Sequence, residues 1–560
     1  MAGWDWAVIG AYFAALVVVV WWSSKRQDTS EDYFLAGRNI GWFAVGASLF
    51  ASNIGSEHIV GLSGQGASSG MAMAHWELHA WVMIMLAWVF VPFYYRSGVF
   101  TMPEFLERRF SPAARWMLSV VSLVAYVFTK VSVTVYAGAL VFEALLPDLS
   151  LHILGQVYGP FWIGAFATVI ATGVYTIFGG LRAVLYTDTA QAIVLLAGSF
   201  FITLFGLRLL GGWGELISVC KTDATRFALW RPLSDPDFPW LGVLIASPVI
   251  GIWYWCTDQY IVQRTLAAKN LTNARRGAIW GGFLKVWPVM IFLIPGMIGY
   301  ALHQKGMLQI PLKDSGGIQG DMVFATMVKT LLPTGLRGLV VGGLLAALMS
   351  SLSSLFNSSA SLFTVDIYEK IRPGRSERHL VAVGRVATGV VVALGMLWIP
   401  VMHTIGQGGL YKYLQSVQGY LAPPITAVFL LGLFWKRINS AGAVAGLALG
   451  FILGMVKLVL EACAGAGYLE SMPWLEAVAT FNFLYASGVL LLISVIIIVG
   501  VSLLSPPPPA EQIAGLTYAT ASPEQRRENR QSWNWIDIFG TVVVLGLVLG
   551  MYTYFTVWLR

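Results

Sequence analysis

Apolar runs of bilayer length recur from one end of the chain to the other. They lie near residues 4–23, 41–63, 71–95, 114–144, 158–178, 187–211, 239–257, 277–301, 333–364, 380–403, 410–434, 440–462, 476–504 and 534–558. About 20 consecutive apolar residues span the hydrocarbon core as a helix. The ten-residue alternation of an outer-membrane barrel is absent. The pattern predicts an all-α polytopic membrane protein with about 14 transmembrane helices. Two runs are interrupted by polar groups, one at Asn53-Ile54-Gly55-Ser56-Glu57-His58 and one at Trp253-Tyr254-Trp255-Cys256-Thr257-Asp258-Gln259. An Asp at a helix centre costs about 2.5–3.5 kcal/mol on insertion scales, so such groups persist where they line a protected cavity.

Runs two to six and seven to eleven form two blocks of five, and each block opens with an interrupted helix. Five is odd, so the blocks face opposite ways across the membrane. This is the footprint of an inverted repeat, with a solute site at the interface of the halves. The expected parts are an N-terminal flanking helix and loop (1–40), a first repeat (41–211), an extracellular loop (212–238) and a second repeat (239–435). Two flanking helices (436–505), a cytoplasmic linker (506–533) and a last helix (534–560) follow. The linker opens with Ser505-Pro506-Pro507-Pro508-Pro509 and reads as stiff, then flexible.

Composition sharpens this picture. The 560 residues are 57% hydrophobic and 11% charged, against roughly 25% charged in soluble domains. The net charge of +7 sits mostly in short loops, with examples at Arg108, Arg109, Arg275, Arg276, Lys436 and Arg437. Topology explains it better than a nucleic-acid partner, and the positive-inside rule puts both termini outside. A short N-terminus without a signal peptide suits a bacterial inner membrane. The three cysteines are scattered and form no metal or disulfide motif. No phosphate-binding loop, HExxH or GxSxG occurs, so neither ATP drive nor an enzyme is expected. The expected partners are a small solute, an ion and lipid, with no obligatory protein partner evident.

Several side chains are candidates for chemistry. Unwound carbonyls at the first break could hold a small hard cation such as Na⁺ while side chains reach a solute; helix packing through small residues is the alternative. Ser350, Ser351 and Ser354 share one helical face. Their hydroxyls suit weak Na⁺ binding, or simply close packing. Asp188 could serve a second cation or a salt bridge with Arg182 or Arg264. Glu77 and Lys285, both at membrane depth, could bond solute hydroxyls or neutralise each other. Gln415 and Gln418 add amides that donate and accept. With the faces of Trp253, Tyr254 and Trp255, such groups match a polyhydroxylated solute.

The chain resembles the sodium/glucose cotransporter branch of the sodium:solute symporter family. The matching residues are Asp32-Tyr33-Phe34-Leu35-Ala36-Gly37-Arg38, the Asn53–His58 break, Thr187-Asp188 and Tyr254-Trp255-Cys256-Thr257-Asp258-Gln259. They continue with Gln263-Arg264-Thr265-Leu266, the serine-rich stretch 350–366 and Phe429-Leu430-Leu431-Gly432-Leu433-Phe434-Trp435-Lys436. The resemblance implies a LeuT-type 5+5 inverted repeat with flanking helices. It implies a main Na⁺ site of backbone oxygens of Ala51, Ile54 and Ala347 with the hydroxyls of Ser350 and Ser351. Members that use two ions have a second site at positions matching Asp188, Ser351 and Ser354. The implied sugar shell is Asn53, His58, Glu77, Tyr254, Trp255, Lys285 and Gln415, with Tyr254 as the inner gate. The implied activity is Na⁺-coupled symport of a hexose such as glucose or galactose. The alternatives are symport of myo-inositol or another polyol or organic solute, and a non-concentrating sugar sensor.

Overall fold

The computed structural model describes residues 2–23, 29–55, 57–153, 155–312, 316–405, 410–465 and 467–560. Ser56 and the side chain of Glu57, both part of the predicted first break, lie outside the described residues. Eleven helices among the described residues are long and apolar enough to cross a membrane, and shorter apolar helices at Pro112–Ala125, Val133–Glu143 and Pro160–Val174 add to them. The protein is therefore an all-α, multi-pass membrane protein; among the described residues its one sheet is a short hairpin, Leu151–Ile153 against Gln156–Tyr158.

Local chemistry explains where the crossings divide. Pro160–Leu210 is a continuous run of 51 helical residues, which at 1.5 Å per residue would be more than twice the hydrocarbon thickness. It folds back at Gly180 (φ 56°, ψ −166°), a conformation open essentially to glycine alone. Gly180 also packs on Tyr33, whose carbonyl oxygen would lie 2.8 Å from a Cβ there.

The two interrupted helices are broken in the backbone. Helix Trp42–Asn53 ends at Ile54 (φ −87°, ψ 85°), and a wide π-type turn, Glu57–Leu62, leads into Ser63–Ser69. In the second block, Trp240–Ile252 passes through the wide turn Trp253–Thr257 to Asp258, whose extended backbone (φ −79°, ψ 126°) ends the first segment. Asp258 then caps Gln259–Leu266 through its side chain and the Tyr260 amide. The start of one broken helix meets the end of the other. Ile40 donates to the Ala267 carbonyl and accepts from the Lys269 amide, both at 3.1 Å.

Small residues bring the halves together. Helix Leu271–Lys285 crosses Trp42–Asn53 through Gly277, Gly281 and Gly46; a Cβ on Gly46 would lie 2.5 Å from the Gly277 carbonyl oxygen. Close backbone approach of this kind is the usual basis of helix association in lipid.

Two expectations differ from the structure. The run read as one span at 476–504 is two helices, Pro473–Thr480 and Phe483–Leu504, because Asn482 caps the second. The stretch 506–533, read as a flexible linker, contains helix Pro523–Gln531 with a Ser522 capping box. It is docked on the bundle. Arg275 donates to Ser532 and Asn529, each at 2.6 Å, Arg96 pairs with Glu528 at 3.1 Å, and Tyr518 stacks on Phe434.

Candidate functional site

A polar cavity lies between the two broken helices. Asn53 and His58 reach it from the first break, Tyr254 and Trp255 from the second, Glu77 from the third span, Lys285 from the eighth and Gln415 from the eleventh. All seven residues expected to form the solute shell line this one space, and all but Tyr254 are buried.

Their polar atoms form a network. The Lys285 Nζ donates to Glu77 Oε2 and to Asn53 Oδ1, each at 2.6 Å. The Asn53 amide donates to the Tyr254 hydroxyl at 3.2 Å and lies 3.4 Å from His58 Nε2. His58 Nε2 is 3.9 Å from the second Glu77 oxygen. The Lys285 ammonium sits 5.6 Å from the Trp255 ring centroid. Neutralisation of Glu77 by Lys285, one of the two sequence readings, is therefore present, and it occurs at the cavity wall. Gln415 Oε1 and Trp76 Nε1 are buried without a hydrogen-bond partner among the described residues. Leaving buried polar atoms unpaired costs about 1–3 kcal/mol each, so a hydroxylated ligand gains by meeting them.

The serine-rich helix Leu336–Ser361 packs against Trp42–Asn53, the helix that ends at the first break. Ala51, Ile54, Ala347, Ser350, Ser351 and Ser354 are all buried there. The Ser351 hydroxyl donates to the Ser52 carbonyl at 3.3 Å, tying the break to the serine-rich helix. Leu355, one turn after Ser351, lines the solute cavity, so the hydroxyl cluster and the cavity share a wall. Asp188 accepts from Ser350 and Ser48, each at 2.6 Å, and from Ser52 at 2.9 Å. Arg264, fully buried, stands 3.8 Å from Asp188 and donates to Ser48 at 3.0 Å and to Ser354. The salt bridge weighed for Asp188 is thus with Arg264, inside the same hydroxyl cluster.

Residues outside the sequence expectations complete the site. Ser48 and Ser52 are one turn apart on Trp42–Asn53, a spacing that marks one face but reads equally as packing. Lys130 lines the floor of the cavity. It pairs with Asp258 at 2.5 Å and is ringed by Tyr126, Trp253, Tyr254 and Tyr260, with centroids 4.7–5.1 Å from Nζ. The Tyr126 hydroxyl also donates to Asp258. A lysine at membrane depth was the available signal, as it was for Lys285. His79 and Thr134 also line the cavity; His79, an ionisable residue within the run 71–95, carried the same signal, and Thr134 carried none.

Comparison with known proteins gives this arrangement its family. Residues 33–450 match the model of the sodium:solute symporter family. The chain is 39% identical to sodium/glucose cotransporter 4 of Danio rerio, over 94% of this chain and 83% of the relative. It is 38% identical to sodium/glucose cotransporter 1 of Oryctolagus cuniculus, with 93% and 82% covered. It is 39% identical to sodium/myo-inositol cotransporter 2 of the same species, with 92% and 79% covered. Among solved structures, a Na⁺-coupled sialic acid symporter in a substrate-bound, outward-open state shares the fold, at 24% identity and a TM-score of 0.75, with 90% of this chain and 98% of that chain covered. On the family match and these relatives, the chain belongs to the sodium:solute symporter family.

Proposed function

We propose that this protein carries a hexose such as glucose or galactose together with Na⁺ by alternating access. The observation that supports this most is the shared wall between the polar cavity and the hydroxyl cluster. Asn53 belongs to the cavity, Ile54 to the proposed ion site, and one helix break holds both.

In this reading Na⁺ is a co-transported substrate. The backbone oxygens of Ala51, Ile54 and Ala347 and the hydroxyls of Ser350 and Ser351 bind it. Binding holds the first broken helix against Leu336–Ser361 and sets Asn53 in place at the cavity. Glu77, Lys285, Asn53, His58 and Gln415 then meet sugar hydroxyls, while Trp255 and Tyr254 supply flat faces. Tyr254 acts as the inner gate, with Lys130 and Asp258 beneath it. Asp188, Ser351 and Ser354 form a second ion site, in which Asp188 exchanges part of its bonding to Arg264 for the ion. Neutral oxygen ligands bind Na⁺ weakly enough to release it, which a transport site requires. The partition into repeats at 41–211 and 239–435 belongs to the same proposal, as does a bacterial inner membrane with both termini outside.

A polyol is the second reading, because the wall of amides, carboxylate and ammonium suits any ring rich in hydroxyls, and a myo-inositol cotransporter is among the similar relatives. Equilibrium binding of radiolabelled glucose, galactose and myo-inositol to the detergent-solubilised protein, in Na⁺ and in choline, tests the proposal. Na⁺-dependent binding of a hexose is expected. Binding of myo-inositol alone would replace the hexose, and equal binding in both salts would remove the coupling.

A further inference from the structure

His79 stands in an arrangement built from three elements. The third span is irregular where it meets the cavity: helix Ala74–Glu77 stops, and Leu78 (ψ 12°) and His79 (ψ 8°) form a turn before Ala80–Met85. In a regular helix residues two apart point about 200° from each other. The turn lets Glu77 and His79 both reach the same cavity. His79 is 3% exposed. Its Nε2 lies 2.7 Å from the Ser247 hydroxyl on Trp240–Ile252. One turn beyond Ser247 on the same helix is Gly251. A Cβ at that position would fall 2.9–3.1 Å from Cε1, Nδ1 and Nε2 of the His79 ring. Ser247 therefore holds the ring and Gly251 leaves room for it.

We propose that His79 is a further substrate-contacting residue whose Nδ1, the nitrogen that Ser247 does not engage, hydrogen-bonds one particular hydroxyl of the bound sugar. This rests on the polyhydroxylated-solute reading of the cavity. A hydroxyl both donates and accepts, so it satisfies Nδ1 in either neutral tautomer. A sugar without that hydroxyl leaves a buried ring nitrogen unpaired, and a site built around a hydrogen bond rejects such an analogue more strongly than an apolar wall rejects an extra group. The Ser247–His79–Gly251 unit makes His79 a rigid, single-position reader.

The test is a deoxy-sugar scan. Na⁺-dependent binding of whichever of glucose or galactose the wild type prefers is compared with its 2-, 3-, 4- and 6-deoxy analogues, in wild type, His79→Leu, His79→Gln and Gly251→Ala. One position should show a parent-to-analogue preference of roughly tenfold in the wild type, the worth of one net hydrogen bond. His79→Leu should bring that ratio to about one and leave the ratios at the other positions as they were. His79→Gln should restore part of it. Gly251→Ala, which displaces the ring, should reduce the ratio at the same position, and it decides the matter if His79→Leu does not fold. Unchanged ratios everywhere, or an equal loss at every position, would overturn the assignment while leaving sugar transport standing. A wild type that binds none of these sugars in Na⁺ would bring down the proposed function as well.

Discussion

Lys285 and Glu77 form the most consequential contact at the level of single residues. Both are almost fully buried and they meet at 2.6 Å. Removing one partner leaves a buried, uncompensated charge, which costs about 3–5 kcal/mol. Lys285→Met should accordingly lower the thermal unfolding temperature of the purified protein sharply, whereas the double variant Glu77→Gln/Lys285→Met should recover most of the loss without recovering sugar binding. Recovery of both would make the pair a structural device only. At the proposed ion site, Ser351→Ala should raise the Na⁺ concentration needed for half-maximal sugar binding; an unchanged Na⁺ dependence would remove Ser351 from the ligand set. Asp188→Asn should lower the Na⁺-to-sugar ratio measured from charge and tracer flux, and an equal ratio would leave Asp188 as the partner of Arg264 alone. Glu77, Lys285 and Asn53 were legible in the sequence because a charge or amide inside an apolar run demands an explanation. Ser48 and Ser52 were not, since hydroxyls on helices usually pack. Lys130 and His79 carried the same signal as Lys285 and were passed over, and the turn that aims His79 at the cavity leaves no sequence mark.

Helix breaks and crossings govern behaviour at the scale of elements. Asp258 has two duties, capping Gln259–Leu266 and holding Lys130. Asparagine caps as well as aspartate does, so Asp258→Asn separates them. It should keep the cap while loosening the floor of the cavity, seen as faster sugar release in stopped-flow dissociation; a release rate equal to wild type would free Lys130 from any gating role. The crossing between Ser63–Ser69 and Ile294–Gln304 has no slack, since a Cβ on Gly296 would lie 1.9 Å from the Ser63 carbonyl oxygen. Gly296→Ala should destabilise by at least the ~1–3 kcal/mol typical of overpacking, measured as a lower unfolding temperature and loss of monodisperse protein on gel filtration. The multi-pass all-α architecture and both breaks followed from hydrophobic run length and polar interruptions. Run length alone missed the corner at Phe481-Asn482 because both flanking helices are apolar. Polar composition likewise suggested a loose 506–533 segment, but its Arg, Asn and Tyr contacts are with distant helices that no local pattern reveals.

Coupling between ion and solute is a property of the whole molecule. In the proposed symport, whatever factor Na⁺ applies to sugar affinity, sugar must apply to Na⁺ affinity. One Na⁺ crossing ~100 mV contributes ~2.3 kcal/mol, and a tenfold gradient adds ~1.4 kcal/mol. Together these support roughly 500-fold sugar accumulation per ion, and about the square of that for two. In the proposed mechanism the motion comes from an inverted repeat, two similar halves rocking about a fixed central site. The deciding measurement is uptake of radiolabelled glucose and galactose into proteoliposomes with and without an inward Na⁺ gradient. The account predicts transient accumulation above the external concentration that needs the gradient and is lost in Gln415→Ala. Uptake that only equilibrates, at the same rate with the gradient collapsed, would contradict it.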